Sequence, residues 1–203
     1  MDKARVEAFS DGVLAIAITL LTLEIHVETG PEGLWASLLD AWPQFAAYLV
    51  SFLIIGIIWV NHHTLFRFVA VVDRPLLFLN LLALMFVTLV PFVTALFAEH
   101  ILGGGSDSHV AAAVYSANGF GIAISFNLLL RWILHDDRLV HAHIDLEAAR
   151  ASTRRYGFGL VVYPVAIAVS FVSAPITLAL HFVVAVFYAI DQLVHREAPA
   201  VEA

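Results

Sequence analysis

Residues 4–25 read ARVEAFSDGVLAIAITLLTLEI. As one helix this stretch is about 33 Å long at 1.5 Å per residue. The hydrocarbon core of a bilayer is about 30 Å thick. The stretch is therefore a membrane-spanning helix by length and by its run of Ile, Leu, Ala and Thr. It carries an acid, Asp11, within its first third. A charged side chain at a helix centre costs about 2.5–3.5 kcal/mol on insertion scales, and less near an end. Such a carboxylate is a candidate functional group until a partner explains it. Arg5, Phe9, Ser10 and Gly12 surround it.

The remaining sequence supplies further spans rather than a soluble partner. The chain has 203 residues, of which 61% are hydrophobic and 13% charged, with a mean hydropathy of +0.90. Soluble domains are about 25% charged, so the expectation is an integral membrane protein. With no cysteine there is no disulfide framework or thiolate metal site. A net charge of −7 argues against nucleic acid as a partner. A signal-peptide reading of the start is disfavoured, because Asp11 interrupts the apolar run and no A-x-A pattern follows Ile25. With no soluble domain, ATP-driven transport by this chain alone is excluded.

Six apolar segments are long enough to cross, at approximately 6–26, 42–68, 76–98, 110–134, 156–173 and 175–194. The expected fold is all-α, a single six-helix transmembrane domain over 1–203. The last two segments form a tight hairpin, with Pro175 suited to a first helical turn. Lys and Arg set orientation. With six spans, Lys3, Arg5, Arg67, Arg74, Arg131, Arg138, Arg150, Arg154, Arg155 and Arg196 all fall on the N-terminal side. The opposite side carries Glu24, Glu28, Glu32, Asp40, Glu99 and Asp107. Both termini are thus expected in the cytoplasm. Residues 102–108 (LGGGSDS) read as a flexible outer loop, and 145–155 (DLEAARASTRR) as a short amphipathic helix at the membrane surface.

Polar residues recur at one depth. Asp11 lies about 9 Å beyond Arg5. Asn61, His62 and His63 precede Arg67, Asn80 follows Arg74, Asn127 precedes Arg131, and Asp191 precedes Arg196 at similar separations. Hydrocarbon provides no water for such groups, so they should pair with one another. Three readings stand. The layer is inter-helix glue, at about 0.6–2 kcal/mol per hydrogen bond. Alternatively it is a proton relay through Asp11 and His62 or His63. Or Ser10 or Asp11 caps a helix that starts at Gly12.

At 100° per residue, Gly12, Ile16, Thr19 and Leu23 share one stripe of the first helix, and Asp11, Ala15, Ile18 and Thr22 another about 100° away. A ring of Ile16, Thr19 and Leu23 about a symmetry axis would make a narrow pore with apolar constrictions and one hydroxyl layer. Ordinary lipid or helix contact is the plainer alternative.

Arg5-x-x-x-Phe9-Ser10-Asp11 resembles the R-x-x-x-F-S-D signature of the lysosomal potassium channel family, the transmembrane protein 175 family, in its prokaryotic branch. Trp59-Val60-Asn61-His62-His63 looks like its second-helix companion motif. The resemblance implies a homotetramer of six-helix subunits in the cell membrane, each chain multi-pass. The four first helices would line a central potassium pathway. It implies a constriction made by large apolar side chains rather than a carbonyl-lined loop, and the sequence has no T-V-G-Y-G segment. The family's pore positions fall five, eight and twelve residues past the signature acid, on Ile16, Thr19 and Leu23. The inter-helix network falls on Arg5, Ser10, Asp11 and His62 or His63. Potassium is then the permeant ion, no cofactor is needed, and the partners are other copies of the chain and the bilayer. Vertebrate members fuse two repeats, so one repeat implies four chains. Lysosomal placement does not carry over.

Two other functions compete. One is a proton channel or proton-coupled transporter using Asp11 and the histidines. The other is a membrane-embedded metalloenzyme built on His135, Asp136, Asp137, His141 and His143, residue types that suit zinc or non-haem iron. Against it, His135 and His141 are six apart, not the i, i+4 of a helical ligand pair. The favoured reading is a channel and not an enzyme.

Overall fold

The computed structural model describes residues 2–135, 139–141 and 146–194, with side chains described except at 146–156 and 191–194. Among these the regular structure is helical, apart from one isolated antiparallel bridge between Val69 and Val140. The helices are α1 Lys3–Leu23, α2 Leu34–Asp40, α3 Trp42–Phe66, α4 Arg74–Thr88, α5 Val90–His100, α6 Gly105–His135, α7 Leu146–Ser170 and α8 Ala174–Val194. We call the end of the bundle where α1 begins proximal and the other end distal. Gln44 at the start of α3 accepts from the His26 amide just past α1. His109 near the start of α6 reaches the Ser170 carbonyl at the end of α7. Both contacts are distal. The Val69–Val140 bridge is proximal and joins the segments that follow α3 and α6.

Among the described residues, four helical segments are long and apolar enough to cross a membrane: Lys3–Leu23, Trp42–Phe66, Arg74–His100 and Gly105–His135. Gly157–Ser170 and Ala174–Ile190 are shorter apolar helices. The third segment is α4 and α5 in series. Pro91 has no N–H for the Val87 carbonyl, and its ring crowds that turn. Leu89 keeps right-handed helical angles, so the span is interrupted without turning back. Carbonyls near such a break need other donors, and the Asn118 amide supplies one to the Phe86 carbonyl at 3.1 Å.

Asp73 starts α4 by accepting from the Leu76 amide at 2.9 Å. The Trp132 indole donates to both oxygens of the same carboxylate, tying the end of α6 to that start. Most of the segment expected as an outer loop at 102–108 is already helix. The left-handed pair Gly104 (φ 64°) and Gly105 (φ 69°) makes the turn, and α6 begins at Gly105. The amphipathic helix expected at 145–155 is not a separate element. Residue 145 lies outside the described residues, and from Leu146 the chain is helical without a break to Ser170. No proline falls before Pro164, and these residues are good helix formers. Helix α2 is not among the expected segments; its Leu34, Trp35 and Leu39 are exposed.

Helix α6 is the centre of the bundle and packs against α4, α5, α7 and α8. Lipid is as apolar as leucine, so this packing rests on close contact and polar pairing rather than on the hydrophobic effect. Two α6 glycines permit the approach. A Cβ at Gly119 would lie 2.4 Å from the Tyr163 ring of α7, and one at Gly121 2.4 Å from the Phe86 ring of α4. On the other flank, Leu14, Ala17 and Leu21 of α1 join one apolar core with Ile55, Leu84 and Phe126.

Candidate pore helix and its polar anchors

The buried residues of α1 are Val6, Ser10, Leu14, Ala17 and Leu21. Their spacing of three and four marks one helix face. Taking Ser10 as origin, Ile16, Thr19 and Leu23 point about 180–240° away. The stripe is therefore turned away from the subunit's own core. Ile16 is 61% exposed and Leu23 68%, far above what a packing residue shows. Thr19 is also exposed. Its hydroxyl donates to the Ile16 carbonyl at 2.8 Å. That leaves the oxygen lone pairs, not the proton, open on this face. Gly12 shares the face, with open space where a Cβ would stand.

The buried face carries the anchor. Ser10 donates to the Val6 carbonyl at 2.9 Å. It accepts from Asn80 Nδ2 of α4 at 2.9 Å. Asn80 Oδ1 accepts from His62 Nε2 of α3, also at 2.9 Å. His62 stacks on Phe66 at 4.4 Å and meets Phe126 edge-on at 6.4 Å. All three polar side chains are buried. Every donor in this chain points the same way, from histidine to amide to hydroxyl to backbone, so three helices are joined with each link satisfied.

The other predicted residues are placed differently. Asp11 is exposed on the flank of α1 and accepts from the Trp59 indole at 3.0 Å. Arg5 is exposed on the same side as the Ile16 stripe and makes no hydrogen bond or ion pair among the described residues. His63 is exposed, one residue along from His62 and thus about 100° around α3. Of the shared-depth layer, the structure joins His62 and Asn80, and it links them to Ser10 rather than to Asp11. Asn127 donates to the Ala123 carbonyl of its own helix. The Asp191 side chain lies outside the described residues. So do Asp136, Asp137 and His143 of the metal alternative; among the described residues no three His, Cys, Asp or Glu side chains gather as a metal site would need.

A second chain of the same design has almost no mark in the sequence. Tyr115 of α6 donates to Ser51 of α3 at 2.8 Å, Ser51 to Thr94 of α5 at 2.7 Å, and Thr94 to the Val90 carbonyl at 2.6 Å. Its direction follows from the last link, because a hydroxyl has one proton to give. Ser, Thr and Tyr scattered in apolar helices look like filler; only the i−4 spacing of Thr94 and Val90 hints at the chain's end.

These features define an all-helical membrane protein in which one spanning helix is pinned on one face and bare on the other. The family model described as "Endosomal/lysosomal potassium channel TMEM175" matches residues 5–91. A protein named a potassium channel from Streptomyces collinus is 50% identical over 194 residues, covering 95% of this chain and 94% of its own. The crystal structure of a "lysosomal potassium-selective channel TMEM175 homolog" from Chamaesiphon minutus superposes with a TM-score of 0.83 at 42% identity, covering 93% of this chain and 97% of that one. A human protein named "Endosomal/lysosomal proton channel TMEM175" is 42% identical over 97 residues, which cover 43% of this chain and 19% of its own. The chain belongs to the TMEM175 channel family. That membership also removes the metalloenzyme reading, since the family and the similar relatives are ion channels.

Proposed function

We propose that this chain is a potassium-permeable channel that conducts passively through a central pore lined by α1. The observation that carries this is the bare stripe. A membrane helix presents Ile16, Thr19 and Leu23 on the face opposite its packed one, in a chain half identical to a protein named a potassium channel. In this reading four copies assemble about an axis, each with six spans and both termini in the cytoplasm of a cell whose membrane it crosses. The fifth and sixth spans are α7 and α8. Four Ile16 and four Leu23 side chains form apolar constrictions that gate by dewetting. Between them four Thr19 oxygens offer lone pairs to a partly dehydrated cation. No cofactor takes part; potassium is what passes.

The same arrangement assigns the anchors. Ser10, Asn80 and His62 hold the proximal third of α1 in its subunit. Arg5 and Asp11 lie about 240° apart on one helix, so a pairing between them crosses a subunit boundary. Some relatives are named proton channels, which keeps a proton route in view. The geometry disfavours one through this layer. The middle link is a neutral amide, which does not pass a proton on, and the last is a backbone carbonyl.

Flux into liposomes tests the proposal. A potassium gradient should drive current without a proton gradient. Ile16→Asn and Leu23→Asn, each placing an amide in an apolar ring, should raise flux; about 1.4 kcal/mol off the barrier gives about tenfold. Native mass spectrometry should show an intact tetramer in both variants. Unchanged flux in both would mean the stripe is not the pore, and flux strictly coupled to protons would favour the transporter.

A further inference from the structure

Away from α1, the distal half of the subunit contains a small cavity with about 10 Å³ of room for a water centre. A cavity of about 10–15 Å³ by that measure holds one water. Its lining includes Tyr115, Asn118, Gly119, Tyr163 and His181, and no residue of α1 contributes. Among the described residues, Asn118 Oδ1 and His181 Nε2 are buried side-chain atoms without a hydrogen-bond partner. Asn118 is 8% exposed and His181 2%. Both side chains face this one cavity.

The character of each atom is decided by the other end of its side chain. His181 Nδ1 reaches the Thr177 carbonyl at 2.8 Å, and a carbonyl only accepts, so the ring proton sits on Nδ1. Nε2 is then a bare acceptor. Asn118 Nδ2 donates to the Phe86 carbonyl, which leaves Oδ1 facing inward as a second bare acceptor. Two acceptors cannot satisfy one another. Aromatic neighbours hold the imidazole in place, with the Tyr115 ring at 4.8 Å and the Tyr163 ring at 5.6 Å. In hydrocarbon, unsatisfied polar groups are costly and bulk water is far. What fits is a small neutral species with two donors. No carboxylate lines the cavity, so nothing there would compensate a dehydrated cation.

We propose that this cavity binds a single water molecule that bridges α6 and α8, donating one hydrogen to His181 Nε2 and the other to Asn118 Oδ1. The bridge is independent of the pore and would persist whatever ion α1 conducts.

Water-edited solid-state NMR on the full-length protein in liposomes, with ¹⁵N-labelled histidine, tests this. The His181 resonance is assigned by its loss in His181→Phe. The expected spectrum shows the Nδ1–H tautomer, with magnetisation arriving at His181 from water. In Asn118→Leu, which removes one acceptor, that transfer should fall several-fold. Absence of transfer in the unmodified protein, or a proton on Nε2, would overturn the proposal. Unchanged transfer in Asn118→Leu would overturn the bridge as drawn.

Discussion

The proximal and distal hydrogen-bond chains follow one plan and hold different things. Each begins at a ring donor, His62 or Tyr115, passes through a neighbouring helix, and ends on the carbonyl four residues before its last side chain. The proximal chain includes α1; the distal chain joins α3, α5 and α6 and leaves α1 out. Beyond Asp11, α1 makes no described side-chain hydrogen bond to another helix. Its contacts there are apolar, through Leu14, Ala17 and Leu21. The candidate pore helix is thus fixed by side-chain hydrogen bonds at its proximal end, and the chain just past its distal end is held by the His26 amide on Gln44. In between it is held by packing of the face opposite its stripe, which tolerates small displacements better than a hydrogen bond does. The rest of the subunit is a scaffold fastened separately.

Removing the middle of the proximal chain should have the largest effect. Asn80→Leu leaves the His62 N–H without an acceptor and Ser10 without its donor. A buried unsatisfied group costs about 1–3 kcal/mol, so thermal unfolding in detergent should report a loss of about 2–3 kcal/mol. Because α1 is one of the joined helices, recovery of the proposed tetramer on size-exclusion chromatography should fall with it. A variant that loses stability yet assembles and conducts normally would show that the anchor does not position the pore.

The distal counterpart is Ser51→Ala. It strands the Tyr115 hydroxyl and should cost about 1–2 kcal/mol. Thr94 keeps its own bond to Val90, as Ser10 keeps its bond to Val6; the loss is smaller because the stranded donor is a rotatable hydroxyl rather than a fixed ring N–H. Since α1 is not in this chain, potassium flux per assembled channel should stay the same. Altered flux at unchanged tetramer content would erase the distinction between the two chains.

The proximal chain is more legible in the sequence than the distal one, for a physical reason. Asn and His in an apolar helix are rare and expensive, so their shared depth is informative, and depth alone puts His62 and Asn80 in one layer. The member on α1 is harder to find. Asp11 draws attention because it is charged, but a charge can sit on a flank and meet an indole there, whereas the buried position goes to Ser10. Serine costs little to bury once it bonds back to its own helix, so it gives no comparable signal. The same holds for Ser51 and Thr94. The span interruption at Leu89 has a visible cause in Pro91, but a proline in a membrane helix is compatible with a kink, a break or neither. Helix α2 has neither a side-chain cap nor a buried residue, and a seven-residue stretch is too short for periodicity to stand out.

The smallest effects should come from deleting the head of each chain. In His62→Phe the new ring keeps the stacking on Phe66, and the Asn80 oxygen loses its one described donor while the amide keeps the bond it gives to Ser10. In Tyr115→Phe, Ser51 likewise loses a bond it accepted and keeps the one it gives. An orphaned acceptor is tolerated better than an orphaned donor. Each variant should therefore cost only the net worth of one hydrogen bond, about 0.5–1.5 kcal/mol, and less than the middle deletion in the same chain. The ranking, more than the absolute values, tests the direction assigned to the donors. If His62→Phe cost as much as Asn80→Leu, the imidazole would have to be serving a second partner through Nδ1, and the proximal chain would be a branch rather than a line. Parallel unfolding curves for the four variants in one detergent decide this.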